Sequence, residues 1–64
     1  MQSIKERRKV NARQVAKVTE ALVACTDERK AATPSEWYRL TLRVEELLDV
    51  LSDLIFMRDL LDDL

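Results

Sequence analysis

Thr33-Pro34-Ser35-Glu36-Trp37 decides the fold. The threonine and the glutamate stand three apart, as in a capping box, where each side chain accepts a hydrogen bond from the other residue's exposed amide. Pro34 falls at the first helical position, where a missing N–H costs nothing. The same ring disfavours helical geometry at Thr33, so a helix arriving from the N-terminal side must end near Ala31 or Ala32. A second box of the same form stands at Ser3-Ile4-Lys5-Glu6. Two boxes and a single proline predict two helices, at about 4–31 and 34–62. Each is about 40 Å long at 1.5 Å per residue. So short a connection folds the chain back on itself. The expected fold is all-α: an antiparallel two-helix hairpin, with residues 1–64 as one domain.

Composition agrees. The 64 residues include no glycine and one proline, and helix formers such as Leu, Ala, Glu, Arg and Lys are abundant. An apolar fraction of 47 % is too high for a disordered tail. The net charge of −1 gives the whole molecule no strong bias toward nucleic acid or membrane. The longest apolar run, Leu54-Ile55-Phe56-Met57, is far short of a membrane span. The basic start is followed by mixed polar residues, unlike a secretory leader, and with one free cysteine this implies a cytoplasmic protein.

A chain this short buries only about 60 % of its unfolded surface and usually needs disulfides, a metal or association to be stable. Cys25 is the only cysteine and histidine is absent, which leaves neither an internal disulfide nor a zinc-like ligand set. Association with another chain is the remedy that remains, so the hairpin is expected to be completed into a helical bundle.

Helix 1 carries a narrow apolar stripe, Ile4, Val15, Val18, Leu22 and Cys25, interrupted early by Arg8 and Asn11. The alternating spacing of three and four is that of a coiled-coil seam. We read Asn11 as lying at the wet edge of that seam, the alternative being that it fixes register or oligomeric state. Helix 2 is richer: Trp37, Leu40, Val44, Leu47, Leu48, Leu51, Leu54 and Ile55 form its main stripe. With the turn centred on Thr33, residues whose numbers sum to about 66 lie side by side, so Val15 meets Leu51, Leu22 meets Val44 and Cys25 meets Leu40. The two stripes match along their length, and agreement between levels strengthens both.

Helix 2 has more apolar surface than helix 1 can cover. Val50, Leu54, Met57, Leu61 and Leu64 recur at spacings of 4, 3, 4 and 3, rotated from the main stripe, with Phe56 and Leu60 widening the surface. We read an exposed patch of this kind as an interface, the alternative being that the last turn frays and Leu64 is merely a tail. Covering five such side chains contributes on the order of 5–10 kcal/mol gross. These seven residues are the expected partner-binding face, and its occupant is either another copy of the chain or a different protein.

Charge is segregated. Lys5, Lys9, Arg13 and Lys17 fall four apart as a basic row on helix 1, whereas Glu45, Asp49, Asp53, Asp59, Asp62 and Asp63 make the end of helix 2 acidic. Each set opposes its own helix dipole. In an antiparallel hairpin the two sets lie together and offset one another. The alternative function is a homodimeric four-helix bundle, nucleic-acid-binding or regulatory, that uses the basic row as an electrostatic footprint. The adjacent acidic row and the net charge oppose nucleic-acid binding.

Among single residues, Trp37 is expected near Arg29, either as a cation–π pair or simply as packing that closes the turn. Tyr38 points away from the seam, where it is either an interface anchor or a solvated side chain. Cys25, with no cation beside it, reads as a small buried hydrophobe. The carboxylates of helix 2 lie on a solvated face, and there is no histidine base, phosphate loop or nucleophile beside a base. We therefore expect no enzyme activity, cofactor, metal or small-molecule substrate.

The run Thr33-Pro34-Ser35-Glu36-Trp37-Tyr38, followed by Leu40-Thr41-Leu42, Glu45-Glu46 and Leu54-Ile55-Phe56-Met57-Arg58, resembles the second helix of small type III secretion co-chaperones. These are helical-hairpin partners of the chaperone for the needle subunit. The resemblance covers residues 33–61, while helix 1 is similar only as an amphipathic helix, and Trp37 stands where a tyrosine is more usual. It implies a protein that joins a second chaperone and keeps the needle subunit soluble before export.

Overall fold

The computed structural model describes residues 3–64, which form two helices, α1 (Ile4–Lys30) and α2 (Pro34–Asp62), packed along their length as a hairpin. Its dimensions are 46 × 17 × 14 Å. The second capping box closes in both directions: Thr33 Oγ1 accepts from the Glu36 amide, and Glu36 Oε2 accepts from the Thr33 amide at 3.3 Å. The first is half made, with Ser3 Oγ accepting from the Glu6 amide at 3.2 Å.

With no glycine available, α1 ends without a left-handed cap. Ala31 instead takes φ −109° and ψ 9°, and its amide donates back to Glu28 and Arg29. Thr33 is then extended, at φ −67° and ψ 162°, as the following proline requires. Arg29 joins the helices just above this turn. Its guanidinium carbon lies 5.6 Å from the centre of the Trp37 ring, and Nη1 donates to Thr41 Oγ1 at 3.5 Å. Trp37 remains about half exposed, so it works as a lid over the turn end more than as core.

The core is thin, as two helices alone allow. Val44, Leu47 and Leu61 of α2 are buried, and Leu40, Leu51, Leu54 and Ile55 are half-buried against Val15, Val18, Leu22 and Cys25 of α1. Leu48 departs from the expected stripe, being 49 % exposed. A single partner helix covers only the narrow seam of alternating three and four spacing, and Leu48 lies just outside it.

Asn11 requires a correction. Far from lying at a wet edge, it is 3 % exposed, the most buried polar residue described, and its Nδ2 donates to the Leu54 carbonyl at 2.9 Å. Arg8, one turn earlier, reaches across to the Leu61 carbonyl, with Nη2 at 2.8 Å and Nε at 3.3 Å. Leu61 lies in the last turn of α2, where the dipole is negative and its carbonyl has only the Leu64 amide at 3.3 Å as a backbone donor, and that turn has no basic residue of its own. Arg8 therefore caps α2 from the neighbouring helix. The two residues that interrupt the apolar stripe of α1 thus make polar links across the open end of the hairpin.

The expected offset of basic against acidic residues takes this form and not that of ion pairs. Among the described residues the pairs within 4.0 Å are Asp27–Lys30, Arg43–Glu46 and Arg58–Asp59, each inside one helix. All are well exposed and contribute little.

Candidate protein-binding face

The seven residues expected to meet a partner divide into three groups. Leu61 belongs to the hairpin's own core at 7 % exposure, with its carbonyl held by Arg8, so it is corrected from interface to interior. Its position seven residues after Leu54 places it on the same helical row, and that row faces α1. Leu54 is half-buried and its carbonyl accepts from Asn11, so it too serves the hairpin first.

Met57, Leu60 and Leu64 form the second group. They lie beside Leu61 along a groove of about 300 Å³ between the helices, whose other wall is Arg7, Val10, Asn11 and Gln14 of α1. Met57 and Leu60 are each 52 % exposed, and Leu64 is more open still. Val50, one turn-pair earlier on the row of Met57, is also exposed and extends this apolar edge toward the middle of the hairpin. Phe56, at 66 % exposure, stands apart. As the neighbour of Met57 it lies about 100° round the helix, outside the groove, so it does not widen this face.

The α1 wall was not anticipated from the sequence. Val10 lies off the stripe of helix 1 that packs the core. The signal was present in the register: Val10 and Met57 have numbers that sum close to 66, which puts them at the same height on opposite helices. Half-buried Val10 and exposed Met57 at one height make a groove, whereas either alone is an ordinary residue of a helix surface.

Lys5, Lys9, Arg13 and Lys17 are all exposed, and among the described residues none has a carboxylate within 4.0 Å. Tyr38 is exposed near the turn, and Cys25 is half-buried. No buried side-chain nitrogen or oxygen among the described residues lacks a hydrogen-bond partner, so the hairpin interior holds no polar group waiting for a ligand. Among the same residues no helix is long and apolar enough to cross a membrane.

What this arrangement can do chemically is bury apolar surface. Covering the exposed parts of Val50, Met57, Leu60 and Leu64 contributes about 3–6 kcal/mol gross, at roughly half the value of a fully buried side chain each. That is of the same order as the whole stability of a small domain. Set beside known proteins, the chain matches no family model, no curated protein and no solved structure.

Proposed function

We propose that this chain is a non-catalytic protein-binding module of the cytoplasm, which completes its core by packing the open-end groove against another protein chain. The observation that carries the reading is the exposed apolar edge of Met57, Leu60 and Leu64 facing Val10 across the groove, on a hairpin whose buried apolar residues, among those described, are Val44, Leu47 and Leu61. The narrower form of the proposal rests on the resemblance of residues 33–61 to type III secretion co-chaperones: the partner is then a second chaperone, and the pair keeps a needle subunit soluble. Met57→Asp tests the general reading, because Met57 is exposed and the hairpin survives the change while the groove gains a charge. Light scattering and co-purification should show association lost with helical content retained. Association unchanged in Met57→Asp removes the groove as the binding face.

A second reading keeps nucleic acid as the partner of a dimeric bundle. It is favoured by one observation, the unpaired basic row Lys5, Lys9, Arg13 and Lys17. Binding to duplex or single-stranded RNA that weakens steeply with added salt supports it, since each neutralised phosphate steepens the slope. Absence of binding at low salt removes it.

A further inference from the structure

We propose that the groove face is covered by a second copy of this chain, packed open end to open end so that α1 of each copy lies on α2 of the other. This deepens the protein-binding reading and rests on it, though not on its co-chaperone form. Among the described residues, grooves run between the helices at both ends. The one at the open end is lined by Met57, Leu60 and Leu64, and a second, of about 620 Å³ at the turn end, includes Glu28, Glu36 and Arg39. They belong to one face. Glu28 is two heptads from Gln14, Arg39 three heptads from Leu60, and Glu36 three heptads from Met57, and multiples of seven stay on one side of a packed helix pair. The two grooves therefore lie on one long face that is apolar at one end and charged at the other. It runs along the 46 Å length of the hairpin, long enough for a second copy to lie against it.

The charges on this face select the occupant. In a dimer whose two-fold axis runs along the hairpin, residues at one height keep the same register between copies as within one copy. Val10 then meets Met57 of the second copy, so apolar surface covers apolar surface. Lys17 falls between Glu46 and Asp53 of the second copy, and Glu28 meets Arg39. Two of the facing positions thus pair opposite signs, whereas Arg7 and Arg43 fall opposite Leu60 and Ala24, and the symmetry repeats each contact. Such a surface complements itself. Head-to-tail packing would instead lay the apolar end of each copy on the charged turn end of the other, and it is excluded on that ground.

Sedimentation equilibrium on the wild-type chain, on Glu28→Arg, on Arg39→Glu and on an equal mixture of the two variants tests the arrangement. Both positions are exposed, and among the described residues neither makes an ion pair within its own hairpin, so circular dichroism should find all chains equally helical. The wild type should dimerise. Each variant alone places like charges together twice and should dissociate at least about tenfold more readily. The mixture should recover to near wild type, because the mixed dimer restores two Arg–Glu contacts that no single hairpin can restore. A mixture no tighter than its components overturns the packing. A wild type monomeric at every concentration overturns self-association, while the protein-binding reading then stands or falls separately on whether Met57→Asp abolishes capture of a different chain.

Discussion

Replacing Asn11 by alanine separates two accounts of the hairpin by sign. On a solvated edge the substitution would be stabilising, because alanine is the better helix former by up to about 0.7 kcal/mol. In the structure the side chain is 3 % exposed and donates to the Leu54 carbonyl at 2.9 Å. Removing it forfeits a hydrogen bond whose net contribution is about 0.5–1.5 kcal/mol. It also leaves a small void between the helices, worth roughly a further 1 kcal/mol. The Leu54 carbonyl is not stranded, since it keeps its helical partner, so no larger penalty applies. Against the gain in propensity the net is a destabilisation of about 1 kcal/mol. For a domain of this size that lowers Tm by about 4–8 °C. Urea unfolding followed by circular dichroism, at fixed protein concentration so that association does not confound the midpoint, measures it. An Asn11→Ala chain that unfolds at the same or higher urea refutes the buried link and returns Asn11 to the surface.

Three further outcomes follow from the same geometry. Arg8→Met should cost about 1 kcal/mol in urea unfolding and increase hydrogen exchange in the last turn of α2, because the Leu61 carbonyl loses a charged donor; exchange unchanged there argues against a cross-helix cap. Thr33→Ala should destabilise by about 1 kcal/mol and Ser3→Ala by clearly less, since only the Thr33 box closes both ways and Ser3 stands at an end that can fray; equal effects would mean that the boxes are equivalent. Leu61→Asp should abolish cooperative melting, whereas Met57→Asp leaves it intact, because only Leu61 is buried; the reverse order would exchange their roles.

The two helices and their boundaries were legible because the signals are local. A proline at a first helical position and two capping boxes fix where the chain starts and stops being helical, without reference to anything distant. Register was legible for a related reason: two stripes of known period meeting at a known turn leave one alignment. The Asn11 to Leu54 link and the Arg29 to Trp37 contact both fall within it.

What could not be read was the destination of long or polar side chains. Arg8 and Asn11 look like defects in an apolar stripe until the facing backbone is in place. Their partners are carbonyl oxygens, which every residue carries and which leave no mark in the sequence. Leu61 and Met57 posed the converse difficulty. They are four apart on a helix with apolar residues on several sides, and only the position of α1 decides that one is core and the other surface.

The account turns on the claim that a protein chain occupies the groove beside Met57. A photoreactive amino acid placed at position 57, and in a parallel chain at the exposed position 49, about 80° round α2 from Met57 and outside the groove, tests this inside cells. The account predicts a protein adduct of defined mass from position 57 and none from position 49. No adduct from position 57, or equal adducts from both, would contradict it.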